Sequence, residues 1–204
     1  MTRTLTGLFD TSSDAEAAVR ELESAGIRGE EISIVASRPD ERDTAKMKEG
    51  NEAGPGAGAG AGRGAVVGGG AGVLAGLGML AIPGVGPVVA AGWLVAAAVG
   101  AVGGAVVGGA GGGLIGAMIG NGVPEQEAHV YAEGVRRGGA LVTVRVADGE
   151  IAAAEAILAR HRRVDPVERG ETYRETGWDR FDENAPLYSE SAAERERRVN
   201  AAEL

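Results

Sequence analysis

The chain has 204 residues, 29 acidic and 20 basic, for a formal net charge of −9, with 3 % aromatics and no cysteine. The negative charge argues against a nucleic-acid partner, and the missing cysteines exclude disulfides and thiolate metal ligands. The length fits one domain, or one small domain with an accessory element.

The first unit, residues 1–37, predicts two strands with a helix between them. Apolar and polar side chains alternate over residues 4–9 and again over residues 32–36, as in half-buried strands. Between these segments Ser13 and Glu16 fit a capping box, and apolar residues follow at helical spacing. The opening residues lack the apolar core of a signal peptide, so we do not expect secretion by that route.

Residues 38–63 predict a linker because they pass from a charged to a Gly/Ala-rich composition. From Gly64 to Pro124 the chain carries no charged residue. In Ile82-Pro-Gly-Val-Gly-Pro87 the prolines cannot continue a helix, and the glycines allow positive φ. The segment 64–122 therefore predicts two helices folded into a hairpin.

Glycine recurs at every fourth position in this hairpin, which places the glycines on one face of each helix. A helical glycine costs about 1 kcal/mol relative to alanine, so close contact with a partner helix is the expected compensation. A low-complexity Gly/Ala linker is the alternative. The candidate helix-packing residues are Gly64, Gly68, Gly72, Gly76, Gly100, Gly104, Gly108, Gly112, Gly116 and Gly120.

Residues 123–170 predict a helix followed by a second strand, helix and strand. The first helix starts near Pro124 and ends at two arginines, and alternating valines over residues 142–146 indicate a strand. A helix should follow over residues 151–158, and a last strand over residues 164–168. Proline at position 166 would confine that strand to a sheet edge.

Two such halves predict an α+β fold, a ferredoxin-like split βαβ/βαβ sandwich interrupted by the long Gly/Ala-rich helical hairpin. In that fold the second and third strands are antiparallel neighbours, so an insertion between them must leave and return at nearly the same place. A helical hairpin does so. Residues 171–204 form a polar C-terminal tail, either solvated or docked through its few aromatic residues.

Two segments resemble the bacterial general stress protein 17M-like family. They are TLTGLFDTSSDAEAAVRELESAGI near the start and VYAEGVRRGGALVTVRV after the hairpin. The resemblance implies stress-linked expression and no established enzyme site. The glycine-rich insert and the tail depart from the short members of the family.

We expect no catalytic, cofactor or metal site. His129 and His161 lie on predicted helices without a carboxylate pair at ligand spacing, and serines at helix starts fit capping. The basic residues 160–163 complement a helix C-terminus or, alternatively, contact anionic lipid headgroups.

The pattern predicts a non-enzymatic membrane-associated stress or envelope protein that self-associates through its glycine zipper. Lysines and arginines flank the hairpin and its tip has none, so both termini should be cytoplasmic. The expected partners are the lipid bilayer and further copies of the chain, without nucleic acid or an identified small molecule. An oligomeric pore and a soluble, cytoplasmic self-assembling structural protein are the alternatives.

Overall fold

The computed structural model describes residues 2–37, 78–82, 85–103, 113–185 and Tyr188. These residues form an α+β fold. The five strands are β1 (Thr2–Phe9), β2 (Ile32–Ser37), β3 (Gly78–Ile82), β4 (Gly86–Gly92) and β5 (Ala140–Ala147). The six helices are α1 (Ser12–Ser24), α2 (Trp93–Gly103), α3 (Leu114–Gly120), α4 (Glu125–Arg136), α5 (Ile151–Arg160) and α6 (Pro166–Glu175).

The strands form one antiparallel sheet in the order β1-β5-β2-β4-β3. β5 lies between β1 and β2, with Val142 opposite both Gly7 and Ile34. β4 continues the sheet beyond β2, with Ala91 opposite Ile34. The predicted antiparallel contact between the second strand and the strand at residues 142–146 is confirmed.

Helices cover both faces of the sheet. On one face α1 and α5 pack over a core that includes Phe9, Leu22 and Val142. On the other face α2, α3 and α4 pack over a core that includes Leu8 and Leu141. Alternating side chains of the central strands are therefore buried on both faces, as near-continuous apolar strands require.

The first unit forms as predicted, with one difference at the start of α1. Thr11, rather than Ser13, is the N-cap, and its hydroxyl accepts a hydrogen bond from the Asp14 backbone N–H at 3.1 Å. Both residue types cap helices, and the earlier position adds two residues to the helix. The helix over residues 125–136, the strand over residues 140–147 and the helix over residues 151–160 are likewise confirmed.

Residues 78–92 differ from the predicted helical hairpin. The turn lies where prolines and glycines placed it, with the Val85 N–H donating to the Ile82 carbonyl at 3.1 Å, but strands β3 and β4 flank it. The helix predicted from residue 88 onward begins only at Trp93. Gly86 and Gly92, which bound β4, have φ values of 97° and 100°, a conformation that no α-helix uses.

The predicted last strand over residues 164–168 is wrong. Only Val164 pairs, through one antiparallel bridge to Leu8 at the outer side of β1. Asp165 then caps α6, because its side chain accepts hydrogen bonds from the N–H groups of Val167 and Glu168, and Pro166 occupies the first turn. This Asp-Pro pair is a helix-start signal that outweighs the extended pattern.

The start of the polar tail docks on the domain. Trp178 makes an edge-to-face contact with Tyr173, with ring centroids 5.6 Å apart, and Phe181 packs against the core that includes Leu8 and Leu141. The docked alternative is therefore the one found for the described part of residues 171–204.

Candidate functional site: an uncharged sector and its borders

The uncharged residues that follow one another in sequence also lie together in space. β3 and β4 occupy one edge of the sheet, α2 packs on β2 and β4, and α3 packs on α2 and α4. All four elements fall within residues 64–124, where no ionised side chain occurs. We call β3, β4, α2 and α3, with the turn to Pro124, the uncharged sector.

The uncharged sector exposes apolar surface at the end of α3. Ile119 is 41 % exposed, and Gly120, Gly122 and Pro124 are also exposed. Leu114, Ile115 and Met118, on the opposite side of α3, are buried against the core. Among the described residues only Val167, on α6, is another exposed large hydrophobic side chain. Ile119 at the end of α3 is therefore an exposed apolar side chain whose sequence neighbours carry no charge.

A tryptophan marks the border between the uncharged sector and the charged part of the domain. The Trp93 indole N–H donates to the Glu31 carbonyl at 3.0 Å, and the Arg145 guanidinium lies 4.5 Å from the Trp93 ring centroid. Arg145 also donates to the Glu31 carboxylate at 2.8 Å. Gly92 allows the end of β4 to lie this close to β2, because a Cβ at that position would lie 2.3 Å from the Ile32 carbonyl oxygen.

Three of the basic residues 160–163, namely Arg160, His161 and Arg162, form ion pairs with α1. His161 lies 2.6 Å from Glu21, which Arg160 also contacts, and Arg162 donates both to Asp14 Oδ1 at 2.8 Å and to Oδ2 at 2.9 Å. The His161 hydrogen bond lowers the pKa of Glu21. Burial alone would raise the pKa of Asp14, but hydrogen bonds from Thr11 and Arg162 keep it below its ordinary value. These pairs join α5 to α1.

A second cluster joins α4 to the tail, and the sequence analysis missed it. The buried Glu133 accepts from Arg136 at 2.6 and 2.8 Å and from Arg137 at 2.6 Å. The Arg137 guanidinium lies 4.1 Å from the centroid of Tyr173, and both arginines lie near the Tyr188 ring. Spacings of three and four residues could have revealed the ion pairs. The tyrosines are distant in sequence, so no local pattern marks them.

The predicted glycine ridges are only partly within the described residues. Gly100 lies in α2, and Gly116 and Gly120 lie in α3. Gly116 is half-buried, whereas a Cβ at Gly120 would find no atom within 4 Å. The other candidates, which are Gly64, Gly68, Gly72, Gly76, Gly104, Gly108 and Gly112, lie outside the described residues.

Neither histidine sits in a metal-binding set. His161 pairs with Glu21, and His129 lies 3.9 Å from the carboxylate of Glu125. Burial, then the nearby Arg180, lowers the pKa of His129 against the opposing effect of Glu125. Within the described ranges no three His, Cys, Asp or Glu side chains are grouped as metal ligands.

None of the helices described is both long enough and apolar enough to cross a membrane. Comparisons with protein-family models, curated proteins and solved structures found no match to this chain.

Proposed function

We propose that this chain is a non-enzymatic, membrane-associated stress or envelope protein whose uncharged sector contacts the lipid bilayer and whose glycine ridges mediate self-association. One observation carries the proposal. The described uncharged elements β3, β4, α2 and α3 contact one another in the fold, so a surface without ionised groups can approach lipid. Burying a charged group in lipid is costly, and this sector avoids that cost.

In this proposal the chain consists of a charged core and an inserted, uncharged segment. We infer a ferredoxin-like core of β1, α1, β2, β5 and α5, with Val164 beside β1 in the place of the last strand. The glycine-rich segment is inserted between β2 and α4, and it adds β3 and β4 to the free side of β2. The charged pairs of α1, α5 and α6 then belong to the part of the core that faces water.

The cell membrane, with both termini on the cytoplasmic side, is the proposed location. Residues 78–92 belong to the sheet, so this proposal does not place the turn after Ile82 across the bilayer. Within the described residues, contact is instead made by the exposed end of α3 around Ile119. The resemblance to general stress proteins supports expression under stress.

Vesicle flotation of the full-length chain tests the proposal. Phosphatidylcholine vesicles remove the contribution of lipid charge, so binding must come from apolar contact. The wild-type chain should float with the vesicles, and Ile119→Glu should float less because a carboxylate would enter the lipid interface. Val167→Glu is the matched control, since Val167 is 64 % exposed but lies on α6, outside the uncharged sector.

Equal flotation of the wild-type chain and Ile119→Glu would reject lipid contact through the end of α3. A wild-type chain that never floats would favour the second candidate, a self-assembling structural protein without lipid contact. The pairing of β4 with β2 supports that candidate, because it commits part of the glycine-rich insert to a protein sheet.

A further inference from the structure

The two edge strands of the sheet, β1 and β3, differ in what covers their outer sides. At the β1 edge the Val164 N–H donates to the Leu8 carbonyl at 2.8 Å, and the Arg163 side chain approaches to within 3.1 Å of the Cβ position of Gly7. Asp10, which follows β1, forms a two-pronged ion pair with Arg169 of α6 at 2.7 and 3.0 Å. The backbone of Val164 and the charged side chains of Arg163 and Arg169 therefore cover the β1 edge.

The β3 edge has none of these protections in the part of the chain that the structure describes. β3 pairs with β4 without interruption from Gly78 to Ile82, so it contains no bulge. Its sequence, GMLAI, contains no charged residue and no proline. Natural edge strands are blunted by lysine, proline or bulges, because unpaired backbone N–H and C=O groups recruit another strand.

We propose that the β3 edge pairs antiparallel with the β3 edge of a second copy of this chain. A two-fold axis at Leu80 would place Gly78 opposite Ile82 of the other copy. Every neighbouring pair in the sheet is already antiparallel, so this pairing extends the pattern across both copies. The inference rests on the self-association in the proposed function, but not on lipid contact.

The absence of charge on β3 makes this edge self-complementary, so a second copy can occupy it. Each chain carries a net charge of −9, so two copies repel through most of their surfaces. In a two-fold strand pair each residue faces a residue of the same strand, and like charges placed there would destabilise it. β3 and its neighbour β4 carry no charge. This edge therefore lets two acidic chains meet without opposing charged side chains.

Two glycine-to-lysine variants test the proposal by sedimentation equilibrium of the full-length chain. A Cβ at the exposed Gly78 would have only the Ala90 carbonyl oxygen near it, at 4.0 Å, so Gly78→Lys should fold. Lysine on an edge strand opposes pairing, so the dimer dissociation constant should rise by about tenfold or more. Gly149→Lys is the matched control, because it makes the same charge change at an exposed glycine where a Cβ would meet nothing within 4 Å. Gly149 follows β5, away from the β3 edge and outside the glycine ridges, so this variant should leave the dimer unchanged.

The alternative outcomes are distinct. A dimer unchanged by Gly78→Lys, or weakened equally by Gly149→Lys, would overturn pairing through β3. A monomeric wild-type chain would also overturn it, whereas flotation with vesicles would still support the lipid contact proposed above. If thermal unfolding shows that Gly78→Lys does not fold, disulfide cross-linking of Leu80→Cys tests the pairing instead. The natural chain has no cysteine, so a disulfide-linked dimer supports the two-fold pairing, and its absence under oxidising conditions rejects it.

Discussion

Replacing Gly92 by alanine should destabilise the protein by about 2–5 kcal/mol. Gly92 has a φ of 100°, and a left-handed conformation costs an alanine about 1–2 kcal/mol. The new Cβ would also lie 2.3 Å from the Ile32 carbonyl oxygen and 2.6 Å from Ser33 Cα. Because both atoms are backbone of β2, relief requires β4 to move away from β2, and such overpacking costs about 1–3 kcal/mol more.

Gly26→Ala separates the two contributions. Gly26 has nearly the same φ, 95°, but a Cβ there would meet nothing within 4 Å. This control should therefore lose only the conformational part, about 1–2 kcal/mol. Urea unfolding of both full-length variants, followed by circular dichroism, gives the free energies of unfolding. We expect Gly92→Ala to be less stable than Gly26→Ala by about 1–3 kcal/mol.

The sign of the Gly92→Ala effect distinguishes the observed strand from the helix predicted by sequence. In a helix, alanine would be favoured over glycine by about 1 kcal/mol. A variant more stable than the wild-type chain would refute the pairing of β4 with β2 and restore the helical hairpin. A loss no larger than that of Gly26→Ala would refute the close approach of Gly92 to Ile32.

Two further predictions concern the ion pairs. Glu133→Gln should lower the free energy of unfolding by about 3–5 kcal/mol, because two neighbouring arginines, each 11 % exposed, lose their buried counter-charge. The exposed Glu155→Gln is the control and should change it by less than about 0.5 kcal/mol, whereas a loss below about 1 kcal/mol at Glu133 would contradict the buried network. Arg162→Gln should reduce stability near pH 7 and have less effect in acid. The pKa of Asp14 is lowered from 3.8, so its stabilising contribution is present above that value and is lost as the pH falls through the lowered pKa. Thermal unfolding of the wild-type chain and Arg162→Gln, from pH 7 down into acid, measures the difference in their stability. A stability difference that grows in acid would exclude the Asp14–Arg162 pair as its source.

The sequence alone located most elements with a regular local pattern. Alternation identified β1, β2 and β5, and helical spacing identified α1, α4 and α5, because each of these has one period of burial along its length. The turn after Ile82 was also located correctly, since proline and glycine restrict the backbone wherever they stand.

Local pattern failed where two structures share the same apolar composition. Valine and alanine around residues 86–92 fit a buried helix as well as a buried strand, and short apolar runs do not distinguish them. Pairing with β2, which is distant in sequence, resolves the ambiguity by satisfying the backbone hydrogen bonds of β4. At residues 164–168 the error was local, because the capping signal of Asp165 and Pro166 was overlooked.

The candidate surfaces divide in the same way. The sequence by itself determined that one long segment carries no charge, because charge is a property of each residue and needs no partner. Only the tertiary structure decided that the described parts of this segment lie together at the β3 side of the fold and that Trp93 marks their border. It also decided that Glu133 pairs with two arginines whose guanidinium groups lie near tyrosines distant in sequence. These contacts join residues far apart in the chain, and they form only when burial of the shared core brings the elements together.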